Sequence, residues 1–304
     1  MTPDPMLFAD NELPTRERSA EKNFQSLRHP VWTEGKARLI QEYLRLFTFI
    51  TKHGTYIDGF AAPQERKRLD MCSANLVLQN QPPWINKFWL CDADPYGIEI
   101  LEGVAATFRN KKRRIEVIPG DFNVSVDQIL ASGQIKAKTA TFALLDQRTF
   151  ECAWESVQRL AQFKHRLDPE TTKIEIFYFL ASGWLDRSIA AVKQPTTAAK
   201  LDRWWGRDDW RSLQGMPGLE RANLFAQRFK DDLGYKYVYP YAIHDRSRNA
   251  RTMYHMIHAT DHPEASPLML RAYRKISGRS DIDPIAAQTH MDALWLQLQD
   301  DSTP

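Results

Sequence analysis

Thr55-Tyr56-Ile57-Asp58-Gly59-Phe60-Ala61-Ala62-Pro63 is a short apolar run that ends in an acid and breaks into small residues. The pattern predicts a buried strand over 56–60 followed by a tight turn. In open α/β sheets, ligands sit beyond the carboxyl ends of strands, where the strand order reverses. A lone Asp after a strand is also an ordinary way of turning the chain. The rest of the chain decides between the two by repeating the pattern or not.

It repeats. Strand-like runs follow at 88–92, 115–118, 140–146, 174–180, 237–243 and 252–259. Apolar residues at helical spacing separate the first five, most clearly at 96–108, 124–131 and 154–163, and another helix over 31–49 leads into the first strand, with Thr33 as its cap. Alternating strands and helices imply a mostly parallel, Rossmann-like sheet of seven strands wrapped by helices. The short polar segment 244–251 joins the last two runs as a hairpin, so the seventh strand is expected to be antiparallel. Pro240 inside the sixth run favours a sheet edge or a bulge. The stretch 183–234, rich in Trp, Arg and Asp, reads as a helical insertion. Residues 1–30 read as an arm, 31–265 as the α/β domain, and 266–304 as a helical tail.

Bulk properties narrow the class. The 304 residues are 43% hydrophobic and 26% charged, with a net charge of +3, which permits a polyanionic partner without demanding one. No run is long enough to span a bilayer, and residues 1–20 lack the apolar core of a secretory signal. Cys72, Cys91 and Cys152 are far apart in sequence and form no C-x-x-C pair, which reads as free thiols in a reducing cytoplasm. His255 and His258 have the wrong spacing to share one face of a strand, so no metal site is expected there.

The first four strands end in carboxylates: Asp58, Asp92, Asp121 and Asp146. In a parallel sheet these ends share one edge, so four acids from distant positions converge on one cleft. The types suit a nucleoside. An acid after the second strand accepts from ribose hydroxyls, Asp121 with Phe122 offers an acceptor beside an aromatic face, and small residues after the first strand allow close backbone approach. The first loop has neither G-x-G-x-x-G nor a terminal Gly-Lys-Ser/Thr, which argues against NAD and ATP and for a cofactor without phosphates.

A seven-stranded sheet with an antiparallel last strand and acids after strands one to four resembles the class I S-adenosylmethionine-dependent methyltransferases. More closely, Tyr56-Ile57-Asp58-Gly59-Phe60-Ala61 after a Lys-containing helix resembles the three-Cys-motif partner family. Cys91-Asp92-Ala93-Asp94, Gly120-Asp121-Phe122-Asn123, and Leu144-Leu145-Asp146 with Trp154 downstream support the likeness, which covers about 31–273. The resemblance implies that Asp58, Gly59, Phe60 and Ala61 contact the methionine part of S-adenosylmethionine, that Asp92 and Ala93 meet the ribose, and that Asp121 and Phe122 meet the adenine. It implies that Asp146 faces the transferred methyl group and orients the nucleophile; Gln147 and Arg148 follow it on the substrate side, and Tyr178 and Trp184, near the end of strand five, are candidate pocket aromatics for which core packing is the better reading. It also implies a radical-type partner protein, to which the three cysteines of the family name belong, and a nucleic acid or other macromolecule as acceptor.

This chain departs from the family in two places. Ala62 and Gln64 stand where the family has glycines, and Asp146-Gln147-Arg148-Thr149 replaces Asp-Pro-Phe/Tyr-Gly. Amine-methylating enzymes resemble one another in an Asp/Asn-Pro-Pro-aromatic motif at the second place, whose aromatic stacks on the flipped base. Here the proline is absent and Phe150 comes late. Two functions follow from these residues: a methyltransferase, or a methyltransferase fold kept as a binding module. A third, nicotinamide-dependent redox chemistry, is disfavoured by the missing glycine fingerprint. Arg203, Trp204, Trp205, Arg207, Trp210 and Arg211 pair cations with aromatics as a nucleic-acid grip would, but interspersed Asp202, Asp208 and Asp209 favour a helix with its Trp face buried. Arg66-Lys67-Arg68, Lys111–Arg114 and the hairpin's Arg246, Arg248 and Arg251 are basic loops that read as solvated.

Overall fold

The computed structural model describes residues 30–110, 112–182, 185–244 and 252–277. A long helix, α1 (Pro30–Thr51), opens the described chain and places Leu39, Ile40, Tyr43 and Leu44 in the core. Thr33 lies inside this helix rather than capping it. Strand β1 (Gly54–Asp58) follows, buried along its whole length, two residues earlier than the apolar run alone indicates. After it come a 3-10 turn (Leu69–Met71) and a short helix, α2 (Ser73–Leu78), for which the sequence reading had no counterpart.

The next units alternate regularly: β2 (Ile85–Asp92), α3 (Pro95–Phe108), β3 (Arg114–Pro119), α4 (Phe122–Ala131), β4 (Thr141–Leu145), α5 (Trp154–Leu167) and β5 (Glu175–Leu180). Local chemistry starts two of these helices. Asp94 accepts from Tyr96 N at the head of α3, with Pro95 pre-set in the first turn, and Asp121 accepts from Asn123 N at the head of α4. The insertion holds α6 (Leu185–Ala190), α7 (Pro195–Trp205), a 3-10 turn (Trp210–Leu213) and α8 (Gly218–Asp231). Strands β6 (Tyr237–His244) and β7 (Thr252–Thr260) and helix α9 (Ala265–Ser277), which packs on α1, complete the described chain.

The sheet order is β3-β2-β1-β4-β5-β7-β6. Strands β1 to β5 are parallel where they pair, and β7 runs antiparallel to both β5 and β6. The seventh strand is therefore antiparallel, as the short link between the last two runs predicts, and Pro240 lies on the edge strand, opposite Ile257. Order reverses between β1 and β4, so the switch point lies at the carboxyl ends of those two strands. Helices cover both faces. One core layer joins α1, α2, α3 and α9 to the sheet through residues such as Tyr56, Phe142 and Phe177, and the other joins α4, α5 and the insertion through Ile57, Leu145 and Tyr178.

Polar side chains fix α1 to the sheet at the edge away from the switch point. Tyr43 Oη donates to Glu175 at the start of β5, and the same carboxylate takes His258 Nε2 at 2.9 Å and Thr260 Oγ1 at 3.1 Å. His255 faces the other side of the sheet, where its Nδ1 meets Ser182 Oγ at 2.7 Å. The insertion is a packed layer: Trp204, Trp205 and Trp210 are buried, with indole N–H groups of the latter two donating to Asp209 and Asp202. Arg228 is sandwiched between the Trp154 and Trp205 rings at 4.0 and 4.1 Å and bonded to Asp232. This corrects the nucleic-acid alternative for the tryptophans. Arg246, Arg248, Arg251, Lys111, residues 1–29 and the tail beyond 277 lie outside the described residues. Among the described residues no helix is long and apolar enough to cross a membrane, and no cluster of His, Cys, Asp and Glu is placed to hold a metal ion.

Candidate functional site

Asp58 is the last residue of β1, and Asp146 follows β4, so the two carboxylates flank the switch point. Asp58 is 1% exposed and accepts from Tyr56 Oη at 2.8 Å and Phe60 N at 3.2 Å. Burial dominates these favourable bonds and pushes its carboxyl up to about 7, with the Asp146 and Asp92 charges adding to the rise. Cys72 and Cys91 lie in the same buried setting, which raises both thiols, Cys72 to about 12. Both are therefore neutral and poor nucleophiles at physiological pH.

Asp92 ends β2 and is fastened to the first loop. Its Oδ2 accepts from Ala62 N and its Oδ1 from Asp94 N, each at 2.9 Å, while Ala61 N donates to Cys91 O at 2.8 Å. Ala62 packs directly on Gly97 in the first turn of α3, where any Cβ on residue 97 would run into it. Further along the loop, Arg66 stacks on Tyr96 at 4.0 Å. The first loop is thus folded down on the β2–α3 turn.

Asp146 is claimed by a residue the sequence reading did not single out. Lys36 of α1, only 4% exposed, places Nζ 2.8 Å from Oδ1 and 2.7 Å from Oδ2, with the rings of Phe179 and Tyr254 each 5.5 Å away. The signal was present: Lys36 sits one turn before Ile40 and two before Tyr43, on the buried stripe of α1. A charge inside an apolar stripe has to meet a partner.

Other expected site residues take structural places. Phe122 is 2% exposed and packs on Gly59, where a Cβ would come within 3.0 Å of its ring, and against Phe60 at 5.9 Å. Its ring and Gly59 are core packing rather than an adenine platform, because the helix cap at Asp121 turns residue 122 inward. Gln147, 1% exposed, donates to Phe179 O and accepts from Cys152 N, which stitches the β4 exit to its neighbours and leaves no amide for a substrate. Tyr178 is fully buried among Phe225 and Phe229, so it is core as well. Phe150 meets Trp204 edge-on at 4.7 Å and is unavailable for stacking on a base. Asp121 is exposed and caps α4; Ala93 is exposed in the turn after Asp92. Trp184 lies outside the described residues.

Lys36, Asp58, Ala61, Ala62, Asp146 and Arg148 line a shared cavity of about 30 Å³. That is room for a water or two, against the several hundred Å³ of a small-molecule site. The donor and acceptor set nevertheless suits a nucleoside. Each oxygen of Asp92 holds one backbone N–H and keeps a second lone pair for a ribose hydroxyl. The residues fit S-adenosylmethionine in chemistry, and in space only with the first loop lifted off Asp92. A larger open hollow of about 700 Å³ lies between α5, α7 and α8, away from the sheet edge, and its Arg207 and Arg228 are both paired with Asp232.

No protein-family model and no curated protein matches the chain. Solved structures resemble it. Among them are Trm5b of Pyrococcus abyssi (16% identity, 73% of this chain and 48% of that one, TM-score 0.33), the methyltransferase domain of a bacterial CtHen1 (10%, 75% and 99%, 0.42), and M. jannaschii TYW2 in complex with AdoMet (11%, 73% and 75%, 0.34). The chain spans about half the length of the Trm5b chain. The fold is class I methyltransferase-like. That assignment rests on the strand order with its reversed β7, since likenesses this distant carry no weight by themselves. In a methyltransferase-like sheet, the switch point at β1 and β4 is where Asp58, Asp146 and the closed first loop meet.

Proposed function

We propose that the chain is an S-adenosylmethionine-dependent methyltransferase of the three-Cys-motif partner type, acting on a nucleic acid. The observation that supports this most is the placement of Asp58, Asp92 and Asp146 at adjacent strand ends around the switch point. With the loop lifted, Asp92 would hold the ribose hydroxyls, the backbone of 58–61 would meet the methionine part, and Asp121 the adenine edge. Bound there, the cofactor supplies an electrophilic methyl group. The protein's own residues hold the acceptor in line and exclude water, which is where most of the rate arises in such a transfer. The neutral Cys72 and Cys91 thiols do not compete as acceptors.

Calorimetric titration of S-adenosylmethionine tests the reading. The expected result is saturable heat with the wild-type chain and at least about tenfold weaker binding with Asp92→Ala, since a lost charge-assisted bond is worth about 1.5–3 kcal/mol. No heat from either protein would sink it. The second reading, a methyltransferase fold kept as a binding module, is favoured by the small cavity and by Asp92's bond to Ala62 N. It predicts a chain silent to the cofactor that still binds its partner.

A further inference from the structure

We propose that Arg148, beside the buried Lys36–Asp146 pair, grips a phosphate of a nucleic-acid acceptor, and that Asp146 is committed to Lys36 rather than offered to an acceptor amine. The inference deepens the proposed function and rests on its placing of the acceptor at the β4 exit.

Three observations carry it. First, Arg148 lines the cavity, is half-buried, and makes no hydrogen bond or ion pair among the described residues. The acids nearest it in sequence are engaged elsewhere: Asp146 with Lys36, and Glu151 with the backbone N–H and hydroxyl of Thr149. Two buried arginines elsewhere are paired with acids, Arg221 with Asp186 and Arg228 with Asp232, while buried Arg113 is bonded to Leu78 O. The guanidinium donors of Arg148 reach solvent and are unclaimed among the described residues, and a planar fork of donors matches a phosphate.

Second, an acceptor amine would have to share Asp146 with a cation already bonded to both of its oxygens. Both oxygens of Asp146 lie within 2.8 Å of Lys36 Nζ, and Gln147 Oε1 is taken by Cys152 N. The amine that Asp146 holds is the protein's own. With Lys36 and Arg148 facing only Asp58 and Asp146 among the charged lining groups, the cavity does not repel an anion.

Third, the loop that lines the cavity through Gln64 carries Arg66 and Lys67 at its exposed tip. Arg66 stacks on Tyr96, which is 55% exposed, so a cation and an aromatic face stand together on the rim. Single-stranded nucleic acids are held by that pairing, phosphates on cations and bases on rings.

The test uses the full chain without cofactor. Binding of fluorescent single-stranded RNA and DNA 12-mers is read by anisotropy over a range of salt concentrations. Arg148→Met should bind about tenfold more weakly and lose about one from the salt slope, and Arg148→Lys should restore the slope. Arg148 has no partner among the described residues to strand, so thermal melting of the Met variant should match wild type, which serves as the folding control. Nucleoside monophosphate and inorganic phosphate are added as competitors. Equal affinities and slopes for wild type and Arg148→Met overturn the proposal. No binding of either oligonucleotide by the wild-type chain overturns its nucleic-acid part. Arg148-dependent oligonucleotide binding by a chain silent to S-adenosylmethionine sustains it while the cofactor reading fails. Cofactor binding with oligonucleotide binding indifferent to Arg148 does the reverse.

Discussion

Lys36 and Asp146 form an ion pair that is 4% and 13% exposed, where removing one partner hurts more than removing both. Lys36→Met is expected to cost about 3 kcal/mol in urea denaturation by leaving a desolvated carboxylate, and Lys36→Met with Asp146→Leu should recover most of it. Equal losses for the single and double variants would mean that the pair is solvated. Asp58 makes a separate prediction in pH. Its carboxyl rises from 3.8 to about 7 on folding, so between those values the folded chain keeps a proton that the unfolded chain has lost. Stability should therefore fall as pH rises from about 4 to about 7 and level off above, with a ceiling of about 4 kcal/mol at about 1.4 kcal/mol per pH unit. Asp58→Asn should flatten that slope in thermal melts across the range.

At the scale of elements, α1 is fastened to both edges of the sheet, by Lys36 at the switch point and by Tyr43 on Glu175 seven residues later, about 10 Å along the axis. Tyr43→Phe strips one donor from a buried carboxylate and should cost about 1–3 kcal/mol by denaturant titration. Gly206 ends α7 at φ +77° with Trp154 over it, where an added Cβ would lie 2.6 Å from the indole. Gly206→Ala combines a left-handed backbone with a clash and should cost about 2 kcal/mol or more. The regular elements were legible because each carries enough residues for its period to show: seven strands and the helices between them stand within a few residues of their expected places. Helix α2 was not, since six fully buried residues show no periodic face. The site was legible in part. Acids at strand ends follow from position alone, and Asp58, Asp92 and Asp146 do meet around one edge. Which way a neighbour points does not follow, so Phe122 and Gln147 were read toward the cleft and are buried in the core, where Tyr178 also lies, as the better reading for it had it. Lys36 stands out as a charge on the buried stripe of α1, but its partner was not legible because it lies 110 residues away.

For the whole molecule, the first loop closes over the switch point where the two halves of the sheet meet. Ala62 binds Asp92 through its N–H and rests on Gly97, so loop, second strand and third helix form one closed unit. Ala62→Gly removes the Cβ that rests there. The amide of residue 62 should then exchange with deuterium several-fold faster, because loop opening costs less. Unchanged exchange would place the restraint elsewhere in the loop. The sheet's outer strand has a different consequence. Strand β6 is the outer strand of the sheet among the described residues, and Pro240 interrupts its row of donors opposite Ile257. A second chain adding itself edge to edge would meet a missing N–H in mid-strand. The proline thus guards the protein against strand-wise polymerisation, and a chain with Val there should sediment as larger species at high concentration.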